Sequence, residues 1–264
     1  MALIALCVGA PSPNDGIPGI LEACSHDWFL VAPEALAEEL RERPVSALLV
    51  DLESVPGRGA PGWLEGAARS FPSLALAVIA SVRDLGALHA VGRSGVDHLL
   101  LREECGDGIF ARALRAVLAD SVAGSVVRAV SPQLARAPLS YVRAALDWVH
   151  RTPDADGFAR ALGWSRPHLS RRLRAAGLPP TGHLLTWSRL LHAGAWLADP
   201  GRSGESVSRQ LGYANGSTFR RALRHFVGLR PSAVATSGGL RVVLDAFFEA
   251  TTLPRRLAEP LRVA

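Results

Sequence analysis

Lysine is absent from this 264-residue chain, and all 29 basic residues are arginine. That composition fits a GC-rich genome and carries no mechanism of its own. Cysteine is scarce: Cys7, Cys24 and Cys105 are odd in number and scattered. They offer neither a disulfide framework nor a metal-ligand spacing, and each reads as a small buried hydrophobe. No apolar stretch approaches the ~20 residues that a membrane span needs. Residues 1–8 form an apolar run without a charged leader, broken by Gly9 to Asp15. The run reads as a buried strand and not as a signal peptide, so a soluble, cytoplasmic chain is expected. Histidines 26, 89, 98, 150, 168, 183, 192 and 225 lack metal-ligand spacing, and no Ser or Cys nucleophile motif is present. Neither an enzyme nor a cofactor is expected.

What is present is an ordinary globular composition, 48% hydrophobic, in a length that suits two domains each with its own core. The net charge of +5 conceals a division. Residues 1–120 carry 9 Arg against 16 acids, a net of −7, whereas residues 140–235 carry 14 Arg against 5 acids, a net of +9. Such asymmetry points to a polyanion met only by the second half.

Short apolar runs at 3–8, 28–31, 47–51, 74–80 and 98–101 alternate with helical patterns at 17–24, 33–42, 61–70, 84–92 and 107–120. Five strand-helix pairs with nearly continuous apolar strands predict a parallel sheet covered on both faces, a doubly wound flavodoxin-like α/β domain over 1–120. Residues 57–62 spell G-x-G-x-x-G, but Pro61 removes a backbone donor and the motif follows the third strand. It reads as a Gly/Pro loop.

In this half, Leu48-Leu49-Val50-Asp51-Leu52, Leu76-Ala77-Val78-Ile79-Ala80-Ser81 and Ser94-Gly95-Val96-Asp97-His98 are similar to three strand regions of a response-regulator receiver domain. The resemblance implies a phospho-acceptor role for Asp51, with Ser81 and Arg102 at the positions of the hydroxyl and the cation. The departures are the Gly9 to Asp15 segment where the family has acidic Mg²⁺ ligands, and Arg102-Glu103 where it has Lys-Pro. A phosphoryl acceptor needs a divalent ion to neutralise the transferring group, and Asp51, even helped by Asp15 or Glu53, supplies few oxygens. A pseudo-receiver serving dimerisation or ligand sensing is expected. A plain strand-end carboxylate bonded to loop N–H groups is an equal reading of Asp51.

Residues 121–138, with Gly124, Ser125, Ser131, Pro132 and Pro138, read as a linker with room for a short helix, and a scaffold helix follows over 139–150. Beyond it one pattern occurs twice. Phe158 to Ser165 lead through Leu162-Gly163-Trp164 into Arg166-Pro167-His168-Leu169-Ser170-Arg171-Arg172-Leu173-Arg174. Val207 to Gln210 lead through Leu211-Gly212-Tyr213 and a turn at 214–216 into Ser217-Thr218-Phe219-Arg220-Arg221-Ala222-Leu223-Arg224. Each copy is a helix-turn-helix pattern, and together they make an all-α second domain with two such units.

The pair resembles the AraC-type DNA-binding domain over residues 139–236. The connecting helix matches through Arg189-Leu190, Ala193, Trp196 and Leu197, and the end through Phe219, Arg221, Gly228, Pro231 and Ser232. Gly177 comes one residue early, and the family's Arg after the Pro-Ser pair is missing. The resemblance implies that the two second helices enter successive major-groove segments, spaced by a helix over 184–197. It also implies double-stranded DNA as partner, a homodimer formed through the first domain, and RNA polymerase as a further contact.

Helical spacing places Leu169, Leu173, Phe219 and Leu223 inward. Arg166, Pro167, Ser170, Arg171, Arg174, Gly216, Ser217, Arg220, Arg221 and Arg224 are then left for DNA, with His168 as a phosphate candidate and Ser165 as N-cap. Arg171 and Arg221 match base-reading positions of the family, and bidentate Arg to guanine is the commonest specific contact. Arg172 reads as a solvated or phosphate-contacting charge. A C-terminal extension over 237–264 could hold an apolar helix over 240–252 with Val242, Val243, Leu244, Phe247 and Phe248. The reading is a sequence-specific transcription regulator with a receiver-like input domain. The alternatives are an adaptor that has lost DNA binding, which 14 Arg against 5 acids disfavours, and a fusion with DNA-repair methyltransferase activity, which lacks a fitting cysteine.

Overall fold

The computed structural model describes residues 2–9, 17–23, 26–55, 62–83, 86, 89, 91–92, 96–104, 107–149, 151 and 154–251. The chain divides into two compact units, residues 1–121 and 122–264.

In the first unit the elements run β1 (Leu3–Cys7), α1 (Ile17–Ala23), β2 (Asp27–Val31), α2 (Leu36–Glu42), β3 (Ala47–Asp51), α3 (Gly62–Ser70), β4 (Ala75–Ala80), β5 (His98–Leu101) and α4 (Asp107–Asp120). Much of the helix expected over 84–92, all of the 57–61 loop, and Asp15, Cys24 and Cys105 lie outside the described residues. The five strands form one sheet in the order β2-β1-β3-β4-β5, and every neighbouring pair is parallel. Leu6 lies opposite Leu30 and Leu49.

Alternating side chains feed two separate cores. Ala5, Cys7, Leu48, Val50, Leu76 and Val78 pack on one face with Leu36, Leu40 and Leu64 of the helices. Ile4, Leu6, Leu49, Ala77 and Ile79 pack on the other with Leu21, Phe110, Leu114 and Val117. Both faces being covered explains why β3 and β4 are buried at every position and lack the apolar/polar alternation of a one-sided sheet. Cys7 sits in this core, and burial, with Glu34 adding a like-signed push, raises its thiol to about 12. It is therefore a neutral packing residue. The strand order reverses between β1 and β3, so the carboxyl ends of the middle strands open at a switch point.

The second unit is helical: α5 (Val122–Val130), α6 (Arg136–Asp147), α7 (Ala155–Ala161), α8 (Arg166–Ala175), α9 (Thr181–Trp196), α10 (Gly204–Gln210), α11 (Gly216–Val227), α12 (Pro231–Thr236) and α13 (Leu240–Ala250). A single core runs through it, from Val126 and Leu146 to Leu223 and Phe247.

Three expectations are corrected here. The stretch read as a linker contains α5, whose Val122, Ala123, Val126 and Val130 are buried in this core, because an apolar stripe at helical spacing outweighs Gly124 and Ser125. Pro138, placed at the end of that linker and ahead of the scaffold helix, lies in the first turn of α6, where the missing N–H has no intrahelical acceptor to lose. Ser165 holds the N-cap position of α8, but its side chain makes no capping hydrogen bond.

The central helix α9 buries 12 of its 16 residues, as a helix surrounded by others must. Its buried His192 is satisfied through Nδ1 by the Ser188 carbonyl oxygen at 2.8 Å. Just beyond it, the buried Arg202 pairs with Asp199 at 3.1 Å and lies 4.8 Å from the Trp196 ring. Burial lowers the Arg202 guanidinium to about 10 against the opposing pull of Asp199.

Candidate nucleic-acid interface

The two helix-turn-helix units are closed by one geometry. Gly163 and Gly212 both take positive φ, 76° and 70°, a left-handed conformation that side-chain-bearing residues adopt only with strain. In the first turn Gly163 N donates to Arg160 O at 2.9 Å and Trp164 N to Ala159 O at 2.9 Å. In the second Gly212 N donates to Arg209 O at 2.9 Å and Tyr213 N to Ser208 O at 3.1 Å. These bonds satisfy the last carbonyls of the first helix and turn the chain sharply into the next. Leu169 and Leu173 anchor α8, and Phe219 and Leu223 anchor α11; all four are buried.

The outward faces differ. On α11, Ser217, Arg220, Arg221, Arg224 and His225 line one open depression of about 490 Å³. Asn215 caps this helix, its side chain accepting from Thr218 N at 2.8 Å. Ser217 is exposed and bonds to the same carboxamide oxygen at 2.6 Å. Gly216 is buried and not outward: a Cβ there would lie 2.7 Å from Glu205 Oε2 and 3.4 Å from Arg220 NH1. This corrects its place among the DNA-facing residues, since the Glu205 carboxylate lies over the position.

On α8, Pro167 is exposed at the first turn, and Arg171 and Arg174 are exposed. Among the described residues no carboxylate lies within salt-bridge distance of Arg171, Arg174, Arg221 or Arg224. Arg166 is 3.6 Å from Asp156. Ser170 is not free for a base, because its hydroxyl bonds Thr181 Oγ1 at 2.8 Å and accepts from Thr181 N at 3.2 Å. It fastens α8 to the start of α9.

Sequence reasoning missed a stack on the side of α8. The His168 ring lies parallel to Trp164 at 4.6 Å, and the Arg172 guanidinium is 4.5 Å from the Trp164 ring centre. Arg172 Nε also donates to His168 Nε2 at 3.2 Å. The 164, 168 and 172 spacing, one helical turn apart each time, was the available signal. A cation–π contact at an exposed site contributes roughly 0.5–1 kcal/mol and holds Arg172 along the helix edge.

In the first unit, the ends of the strands bring the receiver-like candidates together. Asp51, 1% exposed, forms an ion pair with Arg102, and its Oδ1 also accepts from Glu53 N at 3.2 Å. Arg102 Nε lies 2.8 Å from Glu53 Oε2. Ser81 donates its hydroxyl hydrogen to Glu103, which also accepts from Val82 N at 3.2 Å. The Ser81 hydrogen bond is the main reason the Glu103 carboxyl sits below its ordinary value. Among the described residues no cluster of three or more His, Cys, Asp or Glu could hold a metal ion, and no helix is long and apolar enough to cross a membrane.

Residues 158–237 match the family model described as a helix-turn-helix domain. The second unit carries an AraC-type helix-turn-helix domain. The matched segment of this AraC-type domain holds both turns, both outward arginine sets and α9 between them. Comparison with curated proteins finds no match. Among solved structures, an uncharacterized protein from Neptuniibacter caesariensis is similar at 19% identity, covering 45% of this chain and 88% of its own, with a TM-score of 0.40. RcsB from Salmonella enterica serovar Typhimurium, bound to the promoter rprA, gives 17% identity over 70% of this chain and 98% of its own, with a TM-score of 0.37. Full-length FixJ from B. japonicum gives 12% identity over 80% of this chain and 97% of its own, with a TM-score of 0.38.

Proposed function

We propose that the chain is a sequence-specific, DNA-binding transcription regulator, non-enzymatic, in which α8 and α11 enter neighbouring major-groove segments and Arg171 and Arg221 read bases. The observation that carries this reading is the repeat itself: two similarly closed turns, each presenting exposed arginines that have no carboxylate partner among the described residues. Arg174, Arg220, Arg224 and Arg172 supply phosphate contacts, with His168 beside Arg172 and Pro167 and Ser217 close enough to the groove to respond to its shape.

The first unit acts as an input or dimerisation domain. Asp51 serves there as the partner of Arg102 and not as a phosphoryl acceptor, because the carboxylate is buried and its Oδ1 already meets both the Arg102 guanidinium and the Glu53 N–H. Incubation with acetyl phosphate and Mg²⁺ should leave the intact mass unchanged, and a gain of one phosphate on Asp51 would reverse this assignment. Sedimentation of the full-length protein tests the dimer.

The deciding experiment is fluorescence anisotropy of the full-length protein on its own upstream DNA and on scrambled DNA across a salt series, with Arg171→Ala and Arg221→Ala alongside. A preference for the upstream DNA that shrinks in both variants is expected. Binding without sequence preference, selected neither from that DNA nor from a random library, would favour the adaptor reading.

A further inference from the structure

We propose that the C-terminal helix α13, which lies beyond the segment matched by the helix-turn-helix family, is a positioning element for the second recognition helix alone. By holding α11 against α9 it sets which bases Arg221 and its neighbours reach. The proposal rests on the DNA-binding reading above.

The main neighbours of α13 are α9, α11 and α12. Trp187 of α9 is the meeting point. It packs edge-on against Phe226, near the end of α11, at 5.3 Å and 82°, and against Phe247 of α13 at 5.5 Å and 74°. Phe247 is fully buried, with Val243 and Leu244 beside it. Aromatic edges fix mutual orientation in a way that aliphatic contacts do not, so the end of α11 is oriented through Trp187 by a helix that follows it in the chain.

The seat of α13 is equally specific. A Cβ on Gly194, in the last turn of α9, would lie 2.8 Å from Val243 Cγ2, 3.0 Å from Leu240 Cα and 3.1 Å from Gly239 O. Gly239 sits at φ 56°, ψ −118°, where a Cβ would meet Gly194 O at 2.9 Å. The two backbones therefore touch, and the helix has one depth at which it can dock. The first recognition helix is tied to α9 differently, through the Ser170–Thr181 hydrogen bonds. The two readers are thus held by separate devices and can be perturbed separately.

The test uses the full-length protein with Phe247→Leu and Gly194→Ala, and with Arg241→Ala, on the exposed face of α13, as control. Hydrogen exchange read by mass spectrometry should show amides of α11 exchanging roughly tenfold faster in the first two variants while α8 amides keep the wild-type rate. Selection from a random duplex library gives the second readout, with Arg171→Ala and Arg221→Ala identifying the part of the selected sequence each helix reads. Phe247→Leu should weaken the part lost in Arg221→Ala by roughly tenfold and leave the other within about twofold. Equal acceleration in α8 and α11, or equal loss of both parts, would mean that α13 only adds general stability, and would overturn the proposal. If wild-type protein selects no sequence, the DNA-binding reading falls, while the exchange asymmetry still decides whether α13 holds α11. Phe247→Leu is the milder change and serves if Gly194→Ala fails to fold.

Discussion

The two helix-turn-helix copies share a turn but not a surface. In the first, much of the polar face is committed within the protein: Arg166 to Asp156, Ser170 to Thr181, and His168 with Arg172 to Trp164. In the second, Arg220, Arg221 and Arg224 line one open depression with Ser217 and His225. The second recognition helix is also the better capped at its start, by Asn215, whereas both helices run into a left-handed glycine at the end, Gly177 at φ 78° and Gly228 at φ 79°. The comparison teaches that a repeated motif fixes where the backbone goes, while the side-chain commitments decide how much of each face remains for a ligand.

The largest effects expected are on stability. Phe219→Ala and Leu173→Ala each remove a fully buried anchor and should cost about 2–5 kcal/mol. Both anchors belong to one continuous core, so denaturant unfolding followed by helical circular dichroism should move as a single transition in either variant. Two separate transitions, one per copy, would break the view that the copies share a core. Next come the readers. Arg221→Ala and Arg171→Ala should each lose about 1–3 kcal/mol of preference for the selected DNA, at different base positions. Arg166→Ala should lose less than either, because its guanidinium is shared with Asp156. An Arg166→Ala loss equal to that of Arg171→Ala would show that the ion pair opens on DNA. Arg172→Ala should weaken binding uniformly across sequences and reduce the salt slope by about 1. If Trp164→Leu leaves that slope unaltered, the stack does not aim Arg172 at a phosphate.

Much of this was legible in the chain because it rests on local rules. The continuous apolar runs of β3 and β4, the Leu-Gly-aromatic turns, and the inward Leu169, Leu173, Phe219 and Leu223 are local signals. What escaped was decided by tertiary packing. Ser170 has the spacing of an outward residue, and only the docking of α9 brings Thr181 to its hydroxyl. Gly216 looked free because its neighbour Glu205 lies eleven positions away on another helix. Pro138 gives no local sign of the helix start two residues earlier, at Arg136. The pairing of Asp51 with Arg102 joins the ends of β3 and β5, which strand order places apart with β4 between them. The close approach of α13 did leave a trace, in Gly194 between two alanines and in Gly238-Gly239 ahead of the helix.

The smallest effect sharpens the comparison most directly, because it isolates one atom group at the same place in each copy. Asn215 and Ser165 are both N-caps in extended conformation, and both residue types favour that position by accepting from a free N–H of the first turn. Only Asn215 does so, accepting from Thr218 N; the Ser165 side chain makes no capping bond. Asn215→Ala should therefore cost about 1 kcal/mol. Ser165→Ala removes no such bond, so it should stay within about 0.5 kcal/mol of wild type, as surface substitutions away from special features do. Matched urea titrations of the two variants measure the difference. Equal losses would mean that the Ser165 hydroxyl caps α8 in solution and that the copies differ less at their helix starts than their side chains indicate.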